Sequence, residues 1–247
     1  MRRLEKRRFD AVLLDLDGVV TRTAELHARA WQITFDRYLS TLRRRGEEGF
    51  APFDPRADYL KHVDGRPRYD GVRRFLESRG LRVPEGKSDD GPERQTVRGL
   101  GNAKDGQFMA LLARDGVRVY EDAVRRIRDW RAGGLRTAVV SSSRNCADVL
   151  RAAGLTDLFD VRVDGVVSDA LGLRGKPDPD VYLEAARRLA VDPPRAVIIE
   201  DAEAGVRAGK AGGFGRVVGV DRSGRGGALG GAGADLVVSS LLEIEIR

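Results

Sequence analysis

The amino-acid sequence predicts an α/β fold, with a Rossmann-like parallel sheet core that carries helices on both faces and an inserted all-helical cap subdomain. Two observations along the chain predict this fold. Short apolar segments of strand length alternate with longer segments of helical periodicity, which is typical of a parallel sheet with crossover helices. In addition, about 120 residues with almost no strand signal separate the first strand from the second, far more than one crossover helix needs.

Six apolar segments are predicted to form the strands of the core. They lie at residues 9–14, 136–140, 161–167, 196–199, 217–220 and 236–238. Helices are predicted over residues 120–132, 145–153, 180–189 and 202–211, because glycine follows three of them and proline precedes the other. Functional sites in such sheets lie beyond the carboxyl ends of the strands.

The long interval between the first two strands is predicted to be the helical cap. Apolar residues recur there at helical spacing in three places: Trp31, Phe35, Tyr38 and Leu42; Tyr69, Val72 and Phe75; and Phe108, Leu111 and Leu112. We expect these side chains to form the core of the cap. The predicted cap covers residues 22–117, and the predicted core domain covers residues 1–21 and 118–247. Residues 84–101 are rich in glycine, proline and charge and are predicted to be a surface loop.

Composition and charge argue against several classes of protein. The net charge of the 247 residues is +6, but the 44 basic residues are interspersed with 38 acidic ones, which favours solvated surfaces over a nucleic-acid site. A single cysteine, Cys146, excludes an intrachain disulfide, and no apolar run approaches the roughly 20 residues of a membrane helix. The basic start lacks the apolar segment of a signal peptide. We therefore expect a cytoplasmic monomer that binds neither nucleic acid nor membrane.

The first predicted strand ends in two carboxylates, Asp15 and Asp17, which are followed by Gly18. Glycine lets the backbone turn sharply at this point. Aspartate can attack phosphorus to form an aspartyl-phosphate, while a second carboxylate can protonate the leaving oxygen and later deprotonate an incoming hydroxyl. The motif therefore predicts phosphoryl transfer, although Asp-x-Asp-Gly by itself also fits an ordinary turn at the end of a strand.

Polar side chains also follow the second strand, directly before a predicted helix. They are Ser141, Ser143, Arg144 and Asn145. Hydroxyl groups and free backbone N–H groups at the start of a helix can bind an anion. Serine and asparagine are also common helix caps, so this segment by itself fits a structural role equally well.

Lys176 lies on a turn flanked by proline, just before the predicted helix at residues 180–189. Only six of the 44 basic residues are lysines, so this one is unusual in its chain. A compact ammonium group can neutralise phosphoryl oxygens and a nucleophilic carboxylate together. By itself, however, a lysine in a loop is usually an ordinary surface residue, so both interpretations of Lys176 stay open at this point.

The fourth predicted strand is followed by two adjacent acids, Glu200 and Asp201. Near Asp15, their carboxylates would repel one another unless a cation lay between them. Mg²⁺ binds one or two carboxylates together with waters and phosphate oxygens, and it is the expected cation. The sequence therefore predicts a magnesium site at the carboxyl ends of the strands.

These four segments resemble the motifs of the haloacid dehalogenase superfamily, in the same order and over nearly the whole chain. Residues 15–27 are similar, more narrowly, to the β-phosphoglucomutase branch. The resemblance implies that Asp15 is the nucleophile, that Asp17 is the acid/base, and that Ser141 and Lys176 hold the transferring phosphoryl group. It also implies an all-helical cap at the position predicted above.

The resemblance further implies how the metal ion is bound. Asp15 and Asp201 would be direct carboxylate ligands of Mg²⁺, and Asp17 would bind through its carbonyl oxygen. Glu200 would act as an outer partner through a water molecule. The cap is implied to close and exclude water from the aspartyl-phosphate.

As for the reaction, the resemblance implies interconversion of β-glucose 1-phosphate and glucose 6-phosphate through the 1,6-bisphosphate. A mutase must hold both phosphates of this sugar, and five residues are implied to bind the second one: Ser143, Arg144, Asn145, Arg68 and Lys104. Thr23 and His27 lie four residues apart on the first cap helix and are implied to position Asp17. Mutases of this branch often act behind a glycoside phosphorylase, which implies such a functional pairing.

Three alternatives stay open at the level of sequence. A phosphatase acting on a small sugar or polyol phosphate would use the same residues as the mutase. Nucleic-acid binding through the basic start of the chain is disfavoured by the dispersed charge. Dinucleotide binding at residues 224–230 is disfavoured because the glycine spacing there is not Gly-x-Gly-x-x-Gly.

Overall fold

The computed structural model describes residues 2–4, 8–47, 49–222, 224 and 226–246. Parts of the basic start and of the segment 224–230 lie outside the described residues. The chain divides into two compact units, Met1–Arg22 with Val117–Arg247, and Thr23–Gly116. We call the first the core unit and the second the helical unit. No helix in the described ranges is long and apolar enough to cross a membrane.

The core unit contains a sheet of six parallel strands. The described residues form eight strands in chain order: β1 (Arg2–Leu4), β2 (Ala11–Leu14), β3 (Arg136–Val140), β4 (Val161–Val163), β5 (Ala196–Glu200), β6 (Arg216–Val220), β7 (Leu236–Val238) and β8 (Ile244–Ile246). The sheet has the order β4-β3-β2-β5-β6-β7, and β1 pairs with β8 separately. All residues of β2 and β5 are buried, as expected for central strands covered on both faces. The predicted parallel sheet is confirmed.

Helices follow the strands in the core unit and make up most of the helical unit. The helical unit contains α1 (Ala24–Arg43), α2 (Arg68–Ser78), α3 (Val97–Asp115) and a short π-helical segment, Tyr59–Val63. The core unit contains α4 (Glu121–Ala132), α5 (Cys146–Ala152), α6 (Gly165–Leu171), α7 (Asp180–Leu189), α8 (Glu203–Ala211) and α9 (Gly226–Gly231). Helix α7 packs against β2, β3 and β4, and α8 packs against β5 and β6. These helices cover the apolar strands on which the site depends.

The register of the central strands brings three strand ends to the same level. Leu14 of β2 pairs with Val139 of β3 and with Ile199 of β5. Because the strands are parallel, their carboxyl ends lie at one edge of the sheet. The polar residues at or just beyond these ends are therefore neighbours: Asp15, Ser141, Glu200 and Asp201.

The helical unit has an aromatic core of its own. Phe35 and Phe75 stack with their ring centroids 4.0 Å apart, and Trp31 stacks on Phe35 at 5.0 Å. Tyr38 and Phe108 are also buried. Large aromatic side chains contribute much of the buried apolar surface in such a core. These five side chains are packing residues, as predicted.

The strand predicted over residues 161–167 is too long. It ends at Val163, and α6 begins at Gly165. The reason is the side chain of Asp164, whose carboxylate accepts hydrogen bonds from the backbone N–H groups of Val166 (3.1 Å) and Val167 (3.0 Å). This is a helix N-cap, which stabilises the first turn and prevents the strand from continuing.

The loop predicted over residues 84–101 also ends early, because residues 97–101 belong to the first part of α3. The hydroxyl of Thr96 accepts a hydrogen bond from the backbone N–H of Gly99 (2.9 Å) and caps this helix. A Cβ atom at Gly101 would lie 2.6 Å from the ring of Tyr69. Gly101 therefore permits close packing against that ring and does not break the helix.

Candidate active site

Asp15 and Asp17 lie on a tight turn at the carboxyl end of β2. The backbone N–H of Asp15 donates to the carbonyl of Ile199 (3.0 Å), and the N–H of Gly18 donates to the carbonyl of Thr21 (2.8 Å). Gly18 has a φ of +89°, which residues with a side chain rarely adopt. The chain therefore reverses directly after Asp17, and Asp15 is left at the edge of the sheet with 6% of its surface exposed.

Lys176 is a buried ammonium group in contact with Asp15. Its Nζ atom donates to Asp15 Oδ1 (2.5 Å), to Glu200 Oε1 (2.6 Å) and to the carbonyl of Val140 (3.4 Å). The side chain of Lys176 has no exposed surface. All three of its N–H donors are used, as a buried cation requires. The structure thus joins the lysine of the third motif to the first aspartate.

The charges of this cluster shift one another's titration. Burial raises the pKa of the Asp15 carboxyl well above its usual value, Glu200 and Asp17 raise it further, and Lys176 opposes the rise. For Lys176, burial alone would lower the pKa, but the carboxylates of Asp15 and Glu200 outweigh it and hold that pKa well above its usual value. Lys176 is therefore charged. Lys176 lies among several carboxylates, and one ammonium group does not balance their charge. The cluster therefore favours the binding of a further cation.

Ser141 lies directly after β3 and contacts Asp17. Its backbone N–H donates to the carbonyl of Val163 (3.0 Å). The hydroxyl of Ser141 donates to Asp17 Oδ2 (3.4 Å) and accepts from the backbone N–H of Ser143 (3.1 Å). Ser141 is 2% exposed. The serine that sequence analysis placed beside the phosphoryl group is therefore within hydrogen-bonding distance of the predicted acid/base.

The rest of this segment is partly engaged in local structure. The hydroxyl of Ser143 accepts a hydrogen bond from the backbone N–H of Asn145 (3.2 Å), and Asn145 is buried. Arg144 forms an ion pair with Asp169 on α6, where both side chains are exposed to solvent. These three residues of the segment lie next to Ser141 in the chain. Their predicted binding of a second phosphate stays a prediction.

Glu200 contacts protein groups on both of its oxygen atoms. Oε1 accepts from Lys176 Nζ (2.6 Å) and from the hydroxyl of Tyr182 (3.0 Å), and Oε2 accepts from the backbone N–H groups of Asp201 and Ala202 (both 2.9 Å). A carboxylate offers about four acceptor positions, so all are occupied. Glu200 is completely buried and anchors Lys176. Its predicted water-mediated contact with a metal ion stays a prediction.

Asp201 lies against the turn that carries Asp17. A Cβ atom added to Gly18 would be 1.9 Å from Asp201 Oδ2, so this carboxylate lies directly beside the glycine. Within the described residues, no three side chains of His, Cys, Asp or Glu are grouped as a metal site. Mg²⁺ does not require three, since one or two carboxylates with waters and phosphate oxygens satisfy it. Asp15 and Asp201, in a cluster with excess negative charge, therefore fit Mg²⁺.

Thr23, His27 and Lys104 come together within the helical unit. The backbone N–H of His27 donates to the carbonyl of Thr23 (2.9 Å). Nδ1 of His27 lies 2.7 Å from Lys104 Nζ, and the imidazole stacks on the ring of Phe108 with centroids 4.1 Å apart. Lys104 is 5% exposed, so it is a buried cation with a partner in its own unit and not a solvated surface charge. Its predicted contact with substrate stays a prediction.

Arg68, the other predicted substrate residue of the helical unit, is also paired. It begins α2, and its Nη2 atom lies 2.7 Å from Asp105 Oδ1. The Arg68 side chain is 12% exposed. A guanidinium group held by one carboxylate keeps further donors available for a planar anion. Arg68 is thus a positioned arginine, and its phosphate-binding role is untested.

Two residues outside the predicted motifs contact residues of the predicted site. Tyr182 donates its hydroxyl hydrogen bond to Glu200, and Asp169 pairs with Arg144. A signal for Tyr182 existed, because it lies on a predicted helix and a buried tyrosine hydroxyl usually has a polar partner. Asp169 gave no comparable signal, because its position depends on α6, which begins where a strand was predicted to continue.

Known proteins share this arrangement of motifs along the chain. The haloacid dehalogenase-like hydrolase family matches residues 9–213. A beta-phosphoglucomutase of Mycobacterium bovis is 48% identical over 237 residues, which cover 95% of this chain and 90% of that one. A phosphorylated carbohydrates phosphatase of Thermotoga maritima is 31% identical over 216 residues, 87% of each chain. The crystal structure of a beta-phosphoglucomutase from Clostridium difficile has the same fold, with a TM-score of 0.74 and 24% identity over 96% of this chain and 93% of that one.

The matched family and relatives together indicate which kind of enzyme this chain is. Members of the superfamily and phosphomutases generally use Mg²⁺. The family match covers most of the chain, and the mycobacterial relative covers nearly all of it. The chain therefore belongs to the haloacid dehalogenase-like hydrolase family, in its β-phosphoglucomutase-like branch, and is an enzyme of either the phosphomutase or the phosphatase kind.

Proposed function

We propose that this enzyme is a phosphomutase that interconverts β-glucose 1-phosphate and glucose 6-phosphate. The reaction proceeds through an aspartyl-phosphate on Asp15 and through β-glucose 1,6-bisphosphate. The observation that carries the proposal is the buried contact between Asp15 and Lys176, next to the hydrogen bond between Ser141 and Asp17. The 48% identity to a beta-phosphoglucomutase favours a mutase over a hydrolase.

In the first half-reaction, a carboxylate oxygen of Asp15 attacks the phosphorus of the C1 phosphate of the bisphosphate. The bond between phosphorus and the C1 oxygen breaks, and Asp17 donates a proton to that oxygen, which releases glucose 6-phosphate. In the second half-reaction, Asp17 takes the proton of the 6-hydroxyl of β-glucose 1-phosphate while this oxygen attacks the phosphorus on Asp15. The bisphosphate is thereby regenerated, and Asp15 becomes free.

Lys176, Ser141 and a bound metal ion are proposed to stabilise the phosphoryl oxygens. Lys176 carries a fixed positive charge next to Asp15, and a fixed charge in a dry site stabilises a transition state more than a solvated one. Asp15, Asp201 and the carbonyl oxygen of Asp17 would hold Mg²⁺, which when bound supplies positive charge to the transferring group. Glu200 is proposed to hold Lys176, and its role as an outer partner of the metal ion stays a prediction.

A second phosphate site is proposed for the other end of the sugar bisphosphate. In the core unit, Ser143, Arg144 and Asn145 are proposed to bind this phosphate, and in the helical unit Arg68 and Lys104 are proposed to bind substrate. The two arginines would exchange their carboxylate partners for phosphate, which they can bind through two parallel hydrogen bonds. Thr23 and His27 are proposed to position Asp17. We further propose that the enzyme acts as a monomer and receives its substrate from a glycoside phosphorylase.

A sugar-phosphate phosphatase is the second candidate function, because a phosphatase relative shares 31% identity over 87% of the chain. It would use Asp15 in the same way, with water in place of the sugar hydroxyl in the second step. The difference between the two functions therefore lies in which hydroxyl reaches the aspartyl-phosphate.

Product analysis separates the two functions. The purified enzyme would be mixed with Mg²⁺ and β-glucose 1-phosphate, with and without a trace of the bisphosphate, and with the α anomer as a matched control. We expect glucose 6-phosphate from the β anomer only, faster with the bisphosphate, and little inorganic phosphate. Release of one inorganic phosphate per substrate consumed, without glucose 6-phosphate, would identify a phosphatase.

Replacement of Asp17 by asparagine is expected to slow turnover by about 10² to 10⁴, the usual contribution of a general acid or base. Asparagine has nearly the same shape and can still accept a hydrogen bond from Ser141, so the fold and the metal site should persist. Steady-state rates of Asp17→Asn and the parent would be compared at saturating substrate. Near-normal turnover of the variant would remove Asp17 from the mechanism.

A further inference from the structure

Tyr182 is a buried tyrosine whose hydroxyl group contacts the site indirectly. It lies on α7, has no exposed surface, and packs edge-on against Phe214 in the apolar core of the sheet. Its hydroxyl donates to Glu200 Oε1 (3.0 Å). The Nζ atom of Lys176 lies 5.0 Å from the centroid of its ring. The ring is explained by packing, whereas the hydroxyl has two polar neighbours, Glu200, to which it donates, and the ammonium group of Lys176.

Glu200 is held from every side, and Tyr182 is the one neutral side chain among its hydrogen-bond donors. Two backbone N–H groups occupy Oε2, while Lys176 and Tyr182 share Oε1. On the remaining side, a Cβ atom added to Gly205 would lie 1.6 Å from Oε1. The carboxylate therefore cannot move towards α8, and its Oε1 atom is held by Lys176 and Tyr182 together.

The orientation of Glu200 affects how Lys176 divides its contacts. Lys176 Nζ lies 2.5 Å from Asp15 Oδ1 and 2.6 Å from Glu200 Oε1, so the two carboxylates compete almost equally for one ammonium group. The Tyr182 hydroxyl donates to the Oε1 atom of Glu200 and thereby satisfies part of the negative charge of that carboxylate. Without that hydroxyl, Glu200 would attract Lys176 more strongly and draw the ammonium group away from Asp15.

We propose that Tyr182 is a positioning residue that acts through Glu200 and keeps Lys176 beside Asp15 for phosphoryl transfer. This inference rests on the proposed function, because it assumes that Asp15 becomes phosphorylated. It assigns no contact between Tyr182 and the substrate. Tyr182 should therefore affect the rate of phosphoryl transfer and leave the binding of the phosphoryl donor nearly unchanged.

The test is the variant Tyr182→Phe, which removes the hydroxyl and keeps the ring beside Lys176. Phosphorylation of Asp15 would be followed by rapid quench and intact mass, with acetyl phosphate as donor in the presence of Mg²⁺. In this step an Asp15 oxygen bonds to phosphorus and acetate leaves. We expect the maximal rate to fall about tenfold or more, as for other groups that orient a functional ligand. The half-saturating acetyl phosphate concentration should change by less than about twofold.

Two controls separate positioning from a general effect on the fold. Tyr38→Phe removes the hydroxyl of another buried tyrosine, in the helical unit, and should keep the parent rate. In a Glu200→Gln background, Tyr182→Phe should change the rate by less than about twofold, because the two residues act as one unit. Thermal unfolding of all variants would show that each is folded at the assay temperature.

Three results would overturn the inference. The first is a parent-like rate of phosphorylation in Tyr182→Phe. The second is an equal loss in the parent and Glu200→Gln backgrounds, which would mean that Tyr182 does not act through Glu200. The third is a parent enzyme that is never phosphorylated on Asp15 by any phosphoryl donor, and this result would overturn the proposed function as well. The first two leave the proposed function intact.

Discussion

Replacement of Asp15 by asparagine is expected to reduce turnover by at least about 10⁴-fold, since the side chain would lose its nucleophilic carboxylate. Asparagine fills nearly the same volume, and Lys176 would keep its contacts with Glu200 and with the carbonyl of Val140. The variant should therefore fold. Turnover would be measured with β-glucose 1-phosphate, and covalent phosphate would be measured by intact mass and peptide mapping.

The matched control for this prediction is Asp148→Asn. Asp148 lies on α5 in the same unit, and its side chain is 40% exposed and pairs with Arg151 at the surface (2.6 Å). It undergoes the same chemical change in a surface ion pair to which no functional role is assigned, so parent-like turnover is expected. Retention of more than about 1% of turnover in Asp15→Asn, or covalent phosphate on another residue, would contradict the assignment of Asp15 as the nucleophile.

The strands that carry the site could be predicted because buried parallel strands have a simple signature. Each central strand is a short run of apolar residues that ends at a polar group, and parallel pairing brings all such ends to one edge. For this reason Asp15, Ser141 and Glu200 could be predicted to be neighbours, whereas Lys176 lies on a turn between α6 and α7 and its place beside Asp15 was implied only by the resemblance. Helix α7 could be predicted to the residue, since prolines precede it and an amphipathic pattern fills it.

Contacts between residues that are far apart in the chain and carry no motif could not be predicted. The hydrogen bond between Tyr182 and Glu200 joins α7 to the end of β5, and nothing in either segment indicates the other. The strands β1 and β8 were also missed, because each has three residues and together they pair the two ends of the chain. A segment this short has no measurable periodicity.

Helix capping also sets two boundaries of secondary-structure elements that could not be predicted from composition. Asp164 ends a strand and Thr96 begins a helix, in each case through one side-chain oxygen that accepts backbone N–H groups. The apolar run at residues 161–167 suggested a longer strand, and the glycines at 99 and 101 suggested a loop. In both places the capping hydrogen bonds outweigh the secondary structure that the composition of the segment suggests.

Lys176→Met is expected to have the largest effect on stability of any single change in the site. Methionine has a similar length, but without the ammonium group two carboxylates, Asp15 and Glu200, would face each other in a buried space. Removal of one partner of a buried ion pair costs about 3–5 kcal/mol of the free energy of unfolding. Turnover should also fall by at least about 10² to 10³, because the fixed positive charge beside the phosphoryl group is lost.

Lys210→Met is the matched control for this variant. Lys210 Nζ lies 2.7 Å from Asp235 Oδ1, which is close to the distances that Lys176 makes, but the Lys210 side chain is 43% exposed. Exposed ion pairs of this kind contribute less than about 1 kcal/mol. Denaturant unfolding of both variants and the parent, in the presence of EDTA, would therefore separate the effect of burial from the effect of losing a lysine.

The loss of unfolding free energy in Lys176→Met is expected to depend on pH, because the Asp15 carboxyl titrates. Burial already raises the pKa of this carboxyl, and Lys176 is the main opposing influence, so its removal should raise that pKa further. A group with a raised pKa binds more protons in the folded state than in the unfolded state, and the free energy of unfolding then falls as pH rises. The difference between Lys176→Met and the parent should therefore widen as pH rises above the usual pKa range of aspartate, and narrow below it, where Asp15 is protonated in both proteins. A difference that is constant across this range would mean that Lys176 does not set the charge of the cluster.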